Sequence, residues 1–259
     1  MQNLKNKQGF ICDMDGVIYH GNTLVEGAKE FVEWLKSQNK KFLFLTNSSA
    51  KSPKELKQRL AHLDIHVEAE HFITSAQATA SFLASQNPGL GVYVIGESGL
   101  INALHDAGFY IDHVNPAYVV VGESRTYNFE QIEIAVNLVL KGAKLIGTNS
   151  DLTGPSDKGV APACRALVAP IEMATGRKAY FIGKPNPLIM RHAVKTLGCQ
   201  RPDTLIIGDR MDTDIIAGIE SEIETALVLS GITRKDDLKM FPYQPDYILN
   251  SVADIIKPD

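Results

Sequence analysis

Short apolar runs alternate with stretches of helical periodicity from one end of this chain to the other, and that alternation restricts the fold more than any other feature. Phe10–Met14 and Lys41–Thr46 are nearly continuous apolar runs, as expected of parallel strands buried on both faces. Between them, Ala28, Phe31, Val32 and Leu35 keep the spacing of one helix face across residues 26–38. Ser52-Pro53-Lys54-Glu55 has the form of a capping box with proline at the first helical position. It opens a helix carrying Leu56, Leu60 and Leu63, and another helix is predicted over 75–85. Strands are expected at 92–95, 118–121, 144–146, 179–182, 205–207, 226–229 and 247–248. Helices separate them at about 99–107, 129–141 and 163–175, and Asn186-Pro187 opens a further one that Gly198 closes. This pattern predicts an α/β fold of parallel sheets covered by helices. So many strands call for two α/β units. We expect a core built from residues 1–85 and 181–259, with an inserted α/β unit over 86–180.

Composition removes several functions. At 259 residues with 44% apolar and 22% charged residues, the chain is an ordinary globular one, long enough for two modest domains. A net charge of -4 gives no electrostatic basis for binding nucleic acid or a membrane surface. No apolar run approaches the roughly 18 residues of a membrane span. Met1–Gln8 is polar and lacks the apolar core of a secretory signal. Cys12, Cys164 and Cys199 are too few and too scattered for a disulfide framework or a zinc site, and Cys12 reads as a small buried hydrophobe. A reducing, cytoplasmic compartment is expected. His62 and His66 read as solvated surface near a helix end, and no P-loop pattern is present.

Polar chemistry gathers at four strand ends. The first strand ends in Asp13-Met14-Asp15-Gly16, and side chains two apart on a strand share a face, so two carboxylates are expected side by side. Such a pair repels itself unless a cation or proton intervenes. Alone, the segment fits a surface turn equally well. The second strand ends in Thr46-Asn47, whose hydroxyl and backbone amides suit phosphoryl oxygens but also suit a plain strand-to-loop transition. Lys184, between Gly183 and Pro185, would neutralise charge there or stand as a solvated lysine. Last comes Gly208-Asp209-Arg210-Met211-Asp212-Thr213-Asp214, acidic enough to help hold a hard cation such as Mg²⁺, with Asp212 serving only the helix start.

In this order, the four elements resemble the haloacid dehalogenase (HAD) superfamily of aspartate-nucleophile phosphatases, across the whole chain. Asp13-x-Asp15-Gly16 matches its first motif, Thr46-Asn47 its second, Lys184 its third and Gly208-Asp209-x-x-x-Thr213-Asp214 its fourth. Stretches at 13–19, 45–47, 119–127, 183–187 and 229–231 are similar to the NagD-type subgroup of nucleotide monophosphatases. The resemblance implies a Rossmann-like core with an inserted cap that selects substrate. It implies Asp13 as nucleophile and Asp15 as general acid and base. Mg²⁺ would be held by Asp13, Asp209 and the Asp15 main-chain carbonyl. Thr46, Asn47 and Lys184 would bind phosphate, and Asp214 would orient the metal's surroundings or Lys184. Within the polar stretch 148–165, Asn149, Asp151 and Arg165 are candidate base or sugar contacts, or ordinary loop polarity. The subgroup's expected substrates are ribonucleoside 5'-monophosphates such as UMP. Phosphoglycolate, pyridoxal phosphate and nitrophenyl phosphate are alternatives. A phosphomutase or phosphotransferase shares the same intermediate, and a non-catalytic nucleotide sensor would not need the nucleophile. Oligomeric state is not encoded in these motifs.

Overall fold

A computed structural model describes residues 2–156 and 159–257. They form two compact units, one of residues 2–46, 54–73 and 184–257, the other of 47–53, 74–156 and 159–183.

The first unit is built on a six-stranded sheet. Its order is Tyr247–Leu249, Glu224–Val228, Thr204–Gly208, Gly9–Cys12, Lys41–Thr46 and Phe72–Thr74, and the first five run parallel. Gly9–Cys12 is buried at every position, as its apolar run requires. Helix Ala28–Ser37 buries Ala28, Phe31, Val32 and Leu35, the stripe its periodicity defines. Phe31 meets Phe10 edge-on at 6.1 Å, and Trp34 meets Phe10 at 5.8 Å, which ties that helix to the first strand. Helix Pro187–Leu197 starts as its sequence specifies. The Asn186 side chain accepts from Leu188 N at 3.0 Å, and Gly198 ends the helix at φ 67°.

The chain enters this sheet in the middle. From Gly9–Cys12 it steps outward through Lys41–Thr46, then returns to the opposite side at Thr204–Gly208 and steps out again. The strand order therefore reverses beside Gly9–Cys12, and the carboxyl ends of strands at such a reversal are where open α/β sheets bind ligands.

The second unit has its own five-stranded parallel sheet, ordered Tyr180–Phe181, Lys144–Gly147, Tyr118–Val121, Gly91–Ile95 and Tyr110–Ile111. Its core includes Ile95, Val119, Val121, Val168 and Ile171. Its main segment starts at Thr74, twelve residues before the expected boundary at 86, and 47–53 also belongs to it. Helix Ser75–Gln86 packs on helix Ser98–Asp106, and Phe82 meets Tyr180 at 5.6 Å, so both of the expected boundaries, 86 and 180, lie inside this unit. The stretch expected as a polar loop contains a hairpin of Thr153–Ser156 with Gly159–Pro162. Among the described residues, no helix is long and apolar enough to cross a membrane.

Candidate active site

Asp13 and Asp209 each follow one of two adjacent parallel strands, in which Cys12 lies opposite Ile207. The ladder continues for one more residue, with Asp13 N donating to Ile207 O at 2.8 Å. The chain then turns, and Met14 O accepts from the amides of Val17, Ile18 and Tyr19. Gly16 takes φ 80°, a left-handed conformation that favours glycine. A Cβ there would also sit 2.4 Å from Asp209 Oδ2.

Lys184 is the cation of the site and is 2% exposed. Its ammonium donates to Asp13 Oδ1 at 2.8 Å, Asp214 Oδ1 at 2.6 Å and Leu45 O at 3.1 Å. An ammonium has three protons, and these three acceptors are among its partners. Burial alone would depress the Lys184 pKa, but Asp13 and Asp214 outweigh it and hold the group charged. The solvated-lysine alternative is thereby removed.

Asp214 is fully buried on a wide π-type turn, Met211–Ile215. Its Oδ2 accepts from Arg210 N at 3.1 Å, closing that turn on itself. Asp209 is 2% exposed, and its Oδ2 accepts from Ile232 N at 2.7 Å. Burial first and then the charge of Asp214 push the Asp209 carboxyl up to about 7. Burial likewise raises Asp13 well above the usual carboxylate range. Lys184 opposes that rise, and Asp214 and Asp209 add to it.

Asp13, Asp209 and Asp214 bring one carboxylate oxygen each to within 4.8 Å of one another. Three carboxylates face a single ammonium, so full ionisation leaves an excess of two negative charges. That donor set fits a hard divalent cation such as Mg²⁺, which takes oxygen ligands and few protein carboxylates. Asp15, expected to pair with Asp13 through strand alternation, is not one of the three. The strand ends at Cys12, and side-chain alternation stops where the turn begins. Asp212 is exposed and accepts both Nε and Nη2 of Arg210, at 3.0 and 2.8 Å.

Gly208 makes room for Asp214, because a Cβ on it would lie 2.1 Å from the Asp214 Cβ. Gly208→Ala should therefore displace Asp214 and loosen Lys184. The expected cost is about 1–3 kcal/mol of stability, as for other overpacked cores, with at least a tenfold loss of turnover. Chemical denaturation and steady-state kinetics measure both.

Thr46 ends its strand with 6% exposure, one residue beyond the Leu45 carbonyl that Lys184 grips. Asn47, Asn149, Asp151 and Arg165 belong to the second unit. Asn149 is fully buried and donates to Asn47 O and Glu123 Oε1, both at 2.7 Å. Its Oδ1 accepts from Asp151 N at 3.1 Å. With amide and carbonyl both engaged inside the unit, Asn149 braces the chain around Asn47 and Glu123. Asn47 Nδ2 donates to Asp151 Oδ2 at 3.0 Å. Arg165 lies over the Phe181 ring at 4.9 Å and 3.6 Å from Glu172.

Sequence reasoning missed Glu123. One of its oxygens accepts from Ser49 N at 2.8 Å and from the Ser49 hydroxyl, and the other accepts from Asn149. Glu123 follows the buried strand Tyr118–Val121 by two residues, the same strand-end placement that marked Asp13 and Asp209.

Residues 10–110 match the family model described as haloacid dehalogenase-like hydrolase, and residues 181–255 match a second HAD-hydrolase-like model. A dihydroxyacetone phosphatase from Corynebacterium glutamicum (strain R) is 45% identical over 246 residues, covering 95% of this chain and 90% of that protein. The ribonucleotide monophosphatase NagD of Escherichia coli (strain K12) is 43% identical over 245 residues, covering 95% and 96%. The solved structure of NagD from E. coli K-12 superposes with a TM-score of 0.90 at 41% identity, covering 97% of this chain and 100% of that one. A glycerol phosphate phosphatase from Mycobacterium tuberculosis, solved in complex with magnesium, gives 0.91 at 28% identity, covering 98% and 77%.

Proposed function

Because the chain belongs to the haloacid dehalogenase-like hydrolases of the NagD type, and is a phosphoric monoester hydrolase of that family, we propose that it cleaves ribonucleoside 5'-monophosphates such as UMP with Mg²⁺. The observation that carries this reading is the buried Lys184 ammonium bonded to Asp13, with Asp209 beside them.

Asp13 is the nucleophile. One of its carboxylate oxygens bonds to phosphorus while the ester P–O bond breaks, giving an aspartyl-phosphate. Asp15 gives its proton to the departing alcohol oxygen. A water then attacks phosphorus and passes a proton to Asp15, the acyl-phosphate P–O bond breaks, and inorganic phosphate leaves with the Asp13 carboxylate restored. Lys184 fixes the Asp13 carboxylate through Oδ1 and supplies positive charge to the phosphoryl oxygens. Thr46 and Asn47, consecutive in the chain, complete the oxygen contacts. Asp13, Asp209 and the Asp15 main-chain carbonyl would hold Mg²⁺, while Asp214 keeps Lys184 in place. The ion's contribution when bound is to offset negative charge at the attacking carboxylate and the phosphate, which at about 4 Å and an effective dielectric near 20 repel by roughly 4 kcal/mol per pair of unit charges.

The second unit selects among esters in this reading, from the stretch 148–165. A triose or sugar phosphate is the second reading, favoured by the 45% identity to a dihydroxyacetone phosphatase, which is no lower than that to NagD. Phosphate release from a panel of nucleotides, triose phosphates and 4-nitrophenyl phosphate separates the two. With 1 mM EDTA (about a hundredfold over enzyme) every rate should fall to background, and excess Mg²⁺ should restore it. Full activity in the chelator would remove the metal from the scheme.

A further inference from the structure

Arg59 projects from helix Pro53–His62, which is anchored in the core by Leu56 and Leu60. Its guanidinium lies 4.0 Å over the centre of the Tyr19 ring, and its Nη2 donates to Gly21 O at 2.6 Å. Tyr19 and Gly21 belong to one small hairpin, in which Tyr19 pairs with Leu24 and His20 with Thr23. That hairpin closes directly on the turn carrying Asp15. Gly16 N donates to Tyr19 O at 2.9 Å, Tyr19 N donates to Met14 O at 3.3 Å, and Asp15 and Tyr19 form a backbone bridge. A planar cation that stacks and donates at once fixes a ring and a carbonyl together, which a lysine, lacking the rigid planar fork, does less well.

We propose that Arg59 is a positioning residue for Asp15, clamping the 19–24 hairpin so that the Asp15 turn presents its carboxyl to the leaving oxygen. This rests on the reading of Asp15 as general acid. A group that only stabilised the fold would slow all substrates alike. Misplacing a proton donor instead penalises esters whose leaving oxygen needs the proton.

Two aryl esters of nearly the same shape test this in the full-length, Mg²⁺-loaded enzyme. Phenol has a basicity like that of a tyrosine side chain, near pKa 10, whereas 4-nitrophenol is far more acidic and leaves readily as the anion. In Arg59→Ala, kcat/KM for phenyl phosphate should drop about tenfold more than for 4-nitrophenyl phosphate, and Arg59→Lys should give an intermediate ratio. Arg59→Gln is the substitute if the alanine variant does not fold. Equal losses on both esters, or none, would overturn the proposal. Asp15→Asn is the control for the underlying reading. If it shows no leaving-group dependence, the acid assignment fails, whereas dependence in Asp15→Asn without any in the Arg59 variants sinks only the clamp.

Discussion

Asp13→Asn should lower turnover by about 10⁴-fold or more, the scale on which removal of a covalent nucleophile acts, while the protein stays folded. Asn is nearly isosteric, and one carbonyl oxygen remains to accept from Lys184 where Asp13 Oδ1 does now. Denaturant unfolding should therefore stay close to wild type while phosphate release disappears. Trapping adds a second measurement, because wild-type enzyme quenched in acid during turnover should carry labile phosphate and the variant should not. Appreciable turnover in the purified variant would refute Asp13 as nucleophile.

The second large effect concerns stability. Lys184→Met should destabilise the fold by about 3–5 kcal/mol, the range for breaking a buried ion pair from one side. Asp214 is fully buried and Asp13 is 14% exposed, so neither gains full solvation once the ammonium is gone. Activity should vanish with it. Adding Asp214→Asn to Lys184→Met removes one stranded charge and should return at least half of the lost stability. Activity should not return, because Asp13 still lacks its cation. Equal stability of the single and double variants in urea would show that the ion pair does not dominate this part of the core.

Much of the site was legible because it is built from strand ends. Asp13 and Asp209 announce themselves as carboxylates that interrupt apolar runs, and the parallel pairing of those runs makes them neighbours. Lys184 was legible only in company, since a lone lysine after a strand carries no signature of burial. The boundary at Thr74 was not. Helix Ser75–Gln86 buries Ser75, Ala76, Ala78, Thr79, Ala80 and Leu83, a set too small and too evenly spread to say which sheet it covers. The Asn149–Glu123 bond was not legible, because local sequence cannot tell water from a carboxylate distant in the chain as the partner of an asparagine. The hairpin in 153–162 left little trace, since Gly154, Pro155 and Gly159 break the alternation that marks a strand.

The heptapeptide 47–53 leaves the first unit for the second and then returns. Within the second unit, Ser75 and Asn149 both donate to Asn47 O, and Ser49 donates to Glu123. Anyone transplanting the second unit from a relative must therefore exchange two pieces of sequence together. A chimera that swaps only 74–183 sets a foreign surface against native anchoring loops, and its failure would report mismatched stitching, with no bearing on substrate preference.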